Sequence, residues 1–332
     1  MSLPTSENTG KSENLEKSEQ NTQKSIWLRL FRVVLAFVVA TALFYTINKS
    51  ANQFANLSFK LNEIKLVWVF VAIASYWIAM MLSCAFWRKV LLALNCQPGL
   101  RKTIFAFFVS QLGKYVPGKA MVVVLRTDLI RGPKVDTAAA AASVFVETLT
   151  WIFVGSLIAS ILIFVQYQQH AALKWTAAAL ALVTGIATLP PIFRPLASRL
   201  TKHNPTVFAG LNLPTMANGW FMMSAGWCFN AISLCFILAS IPGTNVTAGD
   251  FPLALACVSL ATVAGFASLL PGGIGVRELV MIPLLGPRFG DPTAIIAAIL
   301  IRLVWIAAEM IGSGIIYLWH RSGSDRVAQP IK

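Results

Sequence analysis

The sequence predicts an all-α polytopic membrane protein: an inverted-repeat helical bundle of six full spans plus two re-entrant broken hairpins. Three observations predict it. Hydrophobic residues make up 57% of the chain and charged ones only 12%, with mean hydropathy +0.69, whereas ordinary soluble domains carry about 25% charge. Apolar runs near the roughly 20 residues needed to cross a bilayer recur along the chain. Two segments interrupted by glycine and proline stand in corresponding places of two halves, the pattern of a transporter built from inverted repeats. An outer-membrane barrel would show short alternating segments instead, and none is found.

Taken in order, residues 1–25 set Lys11, Lys17 and Lys24 against Glu7, Glu13, Glu16 and Glu19 in a Ser/Asn/Thr-rich stretch. That composition predicts a disordered cytoplasmic tail, too polar for a signal peptide. The first span is 30–47, with Arg29 and Arg32 at its start, so the N-terminus is expected inside by the positive-inside rule. Residues 48–65 are a polar external loop and 66–87 the second span, followed by the cytoplasmic cluster Arg88, Lys89, Arg101 and Lys102. Residues 104–112 are apolar but too few to cross. The break Gly113-Lys114-Tyr115-Val116-Pro117-Gly118-Lys119 follows, then apolar 120–125, and Arg126, Arg131 and Lys134 close the segment. Basic clusters on both sides predict a hairpin that enters from the cytoplasm and returns.

The third span, 138–165, carries Glu147. After a short outer loop at 166–173, the fourth span, 175–192, ends at Pro190-Pro191, with Arg194, Arg199, Lys202 and His203 inside. The fifth span is 219–241. Segment 251–285 holds the second break, 286–292 is a loop, and the last span is 294–319, with Arg302 and Glu309. His320, Arg321 and Arg326 place the C-terminus inside, with 321–332 as a tail. The membrane domain is thus 26–320, in halves 26–165 and 174–320 of opposite starting side. The alternative is that 251–270 crosses fully and 279–290 returns, giving eight spans.

The net charge is +14, and the surplus base sits beside spans. That suits anionic lipid head groups and not nucleic acid. The five cysteines, Cys84, Cys96, Cys228, Cys235 and Cys257, form no CxxC and read as small apolar residues.

The second break reads Pro271-Gly272-Gly273-Ile274-Gly275-Val276-Arg277-Glu278. Its glycines and proline cannot continue an ordinary helix, and freed backbone groups at membrane depth belong beside a cavity or inside protein. A helix restarting near Val276 offers free N–H donors and partial positive charge to an anion. Arg277 adds a fork of donors matched to phosphate. The competing structural reading is a tight turn anchored by an Arg277–Glu278 pair. Gly113 to Lys119 nearly matches a P-loop, but Ala120 replaces the magnesium-holding Ser/Thr and no strand precedes it. A turn carrying Lys114, Tyr115 and Lys119 remains, again suited to phosphate. Glu147, Glu278, Arg302 and Glu309 form an expected intramembrane charge network, either neutralising one another or lining a polar path. Arg302 and Glu309, seven apart, share a helix face. The two breaks are expected to meet near the midplane, gathering Lys114, Lys119 and Arg277 around one cavity.

No GxSxG, HExxH or DxD motif occurs, and His170, His203 and His320 are too scattered for a metal set. Neither metal nor cofactor is expected.

The stretch Leu270 to Glu278 resembles the hallmark of the flippase-like transmembrane domain of lysylphosphatidylglycerol synthases, and Gly113 to Lys119 resembles an earlier block of its stand-alone members. The resemblance covers about 26–320. It implies movement of an amino-acylated or glycosylated lipid across a plasma membrane. The head-group site would comprise Gly272, Gly273, Gly275, Arg277, Lys114, Tyr115 and Lys119. No soluble aminoacyl-transferase domain follows Trp319, so synthesis of a lysyl lipid is not expected. Relatives often carry Glu-Arg where this chain has Glu147-Thr148, which leaves Arg302 as the expected partner of Glu147. The reading is therefore a multi-pass inner-membrane flippase with both termini cytoplasmic, moving a phospholipid or lipid-linked glycan intermediate. A glycosyltransferase is a candidate partner. A membrane-embedded glycosyl- or phospho-transferase, or a non-catalytic envelope-assembly partner, is the alternative.

Overall fold

Where the sequence supplies long apolar runs, the structure supplies long helices. The computed structural model describes Thr41 and residues 63–116, 120–166, 171–201, 205–268, 270–273 and 275–327. The tail at 1–25, the expected first span at 30–47 and Lys119 therefore lie outside the described residues, Thr41 excepted. Ten α-helices follow among the described residues: α1 (Leu66–Ala93), α2 (Leu100–Gln111), α3 (Ala120–Ile130), α4 (Thr137–Gln166), α5 (Ala171–Thr188), α6 (Pro190–Thr201), α7 (Leu213–Ser240), α8 (Phe251–Ala267), α9 (Val276–Phe289) and α10 (Asp291–Val327). All of them belong to one unit, residues 46–332.

Local chemistry sets many of the boundaries. After α1, Asn95 takes φ 58°, a left-handed helix stop that asparagine tolerates. The Asp136 carboxylate accepts the Ala139 N–H at 2.7 Å and so caps the start of α4. Asn212 does the same for α7 through the Thr215 N–H at 3.0 Å, with proline in the first turn. The predicted fourth span, 175–192, is broken: α5 ends at Thr188 and α6 starts at Pro190, because proline cannot donate to the preceding turn. The expected outer loop is shorter than 166–173, since α5 resumes at Ala171. The last helix runs on past Trp319 to Val327, so the expected span end at 319 and the start of the expected tail at 321 are both helical.

Five described helical stretches are long and apolar enough to cross a bilayer: Leu66–Ala93, Thr137–Val165, Leu213–Ser240, Ala248–Ala267 and Asp291–Ser322. By contrast α2 has 12 residues and α3 has 11. At ~1.5 Å per residue neither approaches a hydrocarbon core of ~30 Å. The two halves are therefore unequal at their breaks, since the stretch entering the second break reaches spanning length.

Packing places two helices at the centre. In α10 and α8, 72% and 67% of the most apolar window is buried, against 33% in α1. Close approach depends on glycine at several crossings. A Cβ on Gly219 of α7 would stand 2.2 Å from the Phe86 ring of α1, and one on Gly155 of α4 would stand 2.5 Å from Trp227 of α7. The Lys65 N–H donates to the Ser240 carbonyl at 3.0 Å, joining the start of α1 to the end of α7. All five cysteines are free, and three of them are buried. Burial pushes the Cys96 thiol, in the loop after α1, up from its ordinary value.

Candidate functional site

Both breaks are turns of tight helix. The first, Leu112–Tyr115, follows α2, and the second, Pro271–Gly273, follows α8. Gly272, Gly273 and Gly275 have φ of 59°, 70° and 85°, a region costly for residues with a Cβ. That is the physical reason for three glycines here. The turns touch. A Cβ on Gly272 would lie 3.1 Å from Cδ1 of Tyr115 and 3.9 Å from Nη2 of Arg302. On the other side, a Cβ on Gly273 would meet Gly265 Cα at 2.9 Å. Gly265 of α8 in turn leaves room for the Arg277 stem, whose Cγ would be 3.0 Å from a Cβ there. As expected, a helix restarts at Val276. Glu278 caps it, accepting the Gly275 N–H at 2.9 Å.

Three buried ion pairs surround the breaks. Arg302 of α10 donates from Nη1 to Glu278 Oε1 at 2.6 Å, with side chains 5% and 12% exposed. Glu309, fully enclosed on α10, pairs with Lys114 of the first turn. It also accepts the Tyr76 hydroxyl from α1 and the Tyr115 hydroxyl, the latter at 2.9 Å. Glu147 of α4 accepts from Arg126 Nη1 of α3 at 2.8 Å. Arg126 also donates from Nε to Ser110 at 2.9 Å. Its guanidinium lies over the rings of Phe107 and Trp87, 4.3 and 5.1 Å from their centroids.

Three readings of the sequence are corrected by this arrangement. Glu147 does not pair with Arg302, which is occupied by Glu278. Nor does Arg126 belong to a cytoplasmic basic cluster with Arg131 and Lys134, for it is 1% exposed and faces inward. The anchoring pair imagined between Arg277 and Glu278 is also absent, since Glu278 turns to Arg302.

Arg277 is the cation left over. Among the described residues it makes no ion pair, and its Nε is buried without a hydrogen-bond partner. Its guanidinium lies 5.9 Å from the ring centroid of Trp305, which stacks on Tyr76 at 4.6 Å. Arg302 also keeps two buried donors without partners, Nε and Nη2. A cavity of about 560 Å³ opens beside these groups, within the ~300–1,000 Å³ usual for ligand sites. Its charged lining is Lys114, Arg126, Glu147 and Arg277, and Gly272 and Gly273 form part of its wall. A void of about 10 Å³, lined in part by both Arg277 and Arg302, adjoins. Tyr115 is buried against the tip contact, and Gly275 lies at the helix start; neither lines the cavity.

Sequence reasoning missed Arg126, Gly265, Tyr76 and Trp305. The aromatic pair and the glycine carry no motif. Arg126 had one signal, its place directly after the apolar stretch 120–125.

A bundle of apolar helices, two touching breaks and a charged cavity at their junction define a multi-pass membrane protein with an internal polar site. The chain belongs to the family of the lysylphosphatidylglycerol synthase TM region, whose profile matches residues 31–310. No curated protein matches it.

Proposed function

We propose that this protein is a flippase: it takes the anionic head group of a phospholipid or lipid-linked glycan intermediate into the cavity at the two breaks and passes it across the plasma membrane. The observation that carries this reading is Arg277. A half-buried guanidinium without a counter-ion beside a cavity is costly unless an anion visits it. It stands one residue inside a helix start, where backbone donors also favour an anion. Its Trp305 neighbour and the apolar walls suit the parts of a lipid nearest the head group.

Several features support transport over covalent chemistry. Glu147, Glu278 and Glu309 are each held in an ion pair, so none stands ready as a general base. The short limbs α2 and α3 fit a re-entrant hairpin. Its touching partner at Pro271–Gly273 fits the inverted-repeat arrangement, with broken helices gathered around a substrate site. The basic residues flanking the helices fit cytoplasmic termini.

The test is translocation in vesicles. The purified full chain is reconstituted with a trace of head-group-labelled anionic lipid, and the label in each leaflet is read by an impermeant quencher. Wild type is expected to exchange the label between leaflets, and Arg277→Gln to slow that exchange at least about tenfold, the loss of one charge-assisted contact. Exchange no faster than in protein-free vesicles, over a panel of anionic lipids, would refute the reading.

A further inference from the structure

The charges around the cavity can be counted. Among the described residues, Lys114, Arg126, Arg277 and Arg302 face three carboxylates, Glu147, Glu278 and Glu309. Each carboxylate is paired with one cation. One positive charge remains, and it is Arg277. The pairs differ in how close they stand to being released. Arg126 is enclosed and held by Ser110 as well as Glu147. Arg302 lies behind the cavity wall. Lys114 alone combines a partly open side chain, 23% exposed, with a place on the cavity lining.

Whether Lys114 acts as a second free cation is decided by Glu309. Every group that meets Glu309 from another element is a donor: Tyr76 from α1, and Lys114 and Tyr115 from the first turn. Only Lys114 among them is charged. On its own helix the nearest cation, Arg302, is committed to Glu278. Withdrawing Lys114 towards a ligand would strand a fully enclosed carboxylate on two neutral hydroxyls, a costly state. Glu309 therefore keeps Lys114 neutralised and, among the described residues, the cavity at one surplus charge.

We propose that Glu309 determines the specificity of this site, restricting it to head groups of one net negative charge: phosphodiesters and not phosphomonoesters or diphosphates. The inference rests on the flippase reading and narrows its substrate. Phosphatidylglycerol and prenyl-phosphate sugars both carry such a diester. Prenyl diphosphates and phosphatidic acid do not.

The experiment is a binding titration of the purified full chain in non-ionic detergent, read by tryptophan fluorescence, since Trp151 and Trp305 line the cavity. Four probes are used at about pH 8, well above the second phosphate pKa of ~6: short-chain phosphatidylglycerol, a prenyl-phosphate hexose, short-chain phosphatidic acid and prenyl phosphate. Wild type is expected to bind both diesters about tenfold more tightly than both monoesters, the scale of one charge mismatch at close range. Whichever diester binds more tightly identifies the lipid source. Glu309→Gln frees Lys114 and is expected to erase or reverse that ratio. The double variant Lys114→Gln/Glu309→Gln returns the surplus to one and is expected to restore it, which repair of a merely structural defect would not do. Should Glu309→Gln fail to fold, Lys114→Gln alone reads the same rule with the opposite sign: the surplus falls to zero and both diesters weaken about tenfold. Equal wild-type affinity for diesters and monoesters, or a Glu309→Gln change that weakens all four probes alike, would overturn the charge rule while leaving the flippase reading intact. Binding of none of the four by wild type would overturn both.

Discussion

Breaking the Arg126–Glu147 pair should destabilise the fold far more than removing it whole. The Arg126 side chain is 1% exposed and that of Glu147 7%, with Nη1 and Oε2 2.8 Å apart. Glu147→Leu leaves the guanidinium with the Ser110 hydrogen bond at 2.9 Å and its two ring neighbours, but no counter-charge. A buried pair broken in this way costs roughly 3–5 kcal/mol. Glu147 borders the cavity and its side chain keeps 7% exposure, so the lower end, about 3 kcal/mol, is expected. Glu147→Gln keeps an acceptor and exchanges a charged hydrogen bond for a neutral one, a loss of about 1–2 kcal/mol. The double variant Arg126→Met/Glu147→Leu removes both charges and refills the space with apolar groups, so it should be nearly neutral, within about 1 kcal/mol. Arg126→Met strands the Glu147 carboxylate at a similar cost of about 3 kcal/mol, so the pairwise coupling is about 5–6 kcal/mol, above the usual range for touching residues.

The assay is reversible unfolding in mixed micelles of non-ionic detergent and SDS, followed by far-UV circular dichroism for wild type, both single variants and the double. Coupling is read from the cycle, so common effects of detergent cancel. A double variant as unstable as the two single variants added together would refute the reasoning. It would mean that the two groups act independently and that Arg126 is stabilised by its aromatic neighbours alone.

Two further outcomes are expected. Gly272→Ala forces a Cβ into φ 59° and to 3.1 Å from the Tyr115 ring, so it should cost about 1–2 kcal/mol and separate the tips; unaltered stability in the same micelle assay would count against the tip contact. Asp250→Ala removes a carboxylate that accepts the Thr247 N–H at 2.8 Å and Arg288 Nε at 2.7 Å. Because Arg288 is 44% exposed and screened by solvent, the loss should be about 1 kcal/mol, mostly that of the cap, and a change above about 3 kcal/mol would show that the pair is more enclosed than this.

What the sequence made legible and what it hid divide along a physical line. Apolar runs announced α1, α4, α7 and α10 because burial in lipid demands them. Glycine and proline announced both breaks, because few other residues tolerate the backbone found at Gly272, Gly273 and Gly275. Glu147 was found because a carboxylate inside a span stands out. Pairing was not legible. Arg126 sits five residues before Arg131 and eight before Lys134, and a count of basic residues near a span end ignores which helix face each occupies. On α3 that face points at Phe107 and Trp87. Tyr76 and Trp305 are aromatic residues within apolar helices, and nothing in a one-dimensional pattern tells a lipid-facing ring from one stacked beside a cation.

Arg302 and Glu309 lie seven apart on α10, and each has its partner on a different break. Seven residues of helix separate the two by a rise of ~10.5 Å, too far for them to neutralise each other closely. The separation lets one rigid helix serve both breaks. Arg302 reaches the second through Glu278, and Glu309 reaches the first through Lys114 and Tyr115. Each break thus contributes the charge opposite to the one α10 offers it, and the two turns are held against one helix as well as against each other. This also explains why Arg277, adjacent to Glu278, makes no ion pair among the described residues. Glu278 faces back to cap its own helix and meet α10, while Arg277, one residue earlier and about 100° away around the helix, faces the cavity.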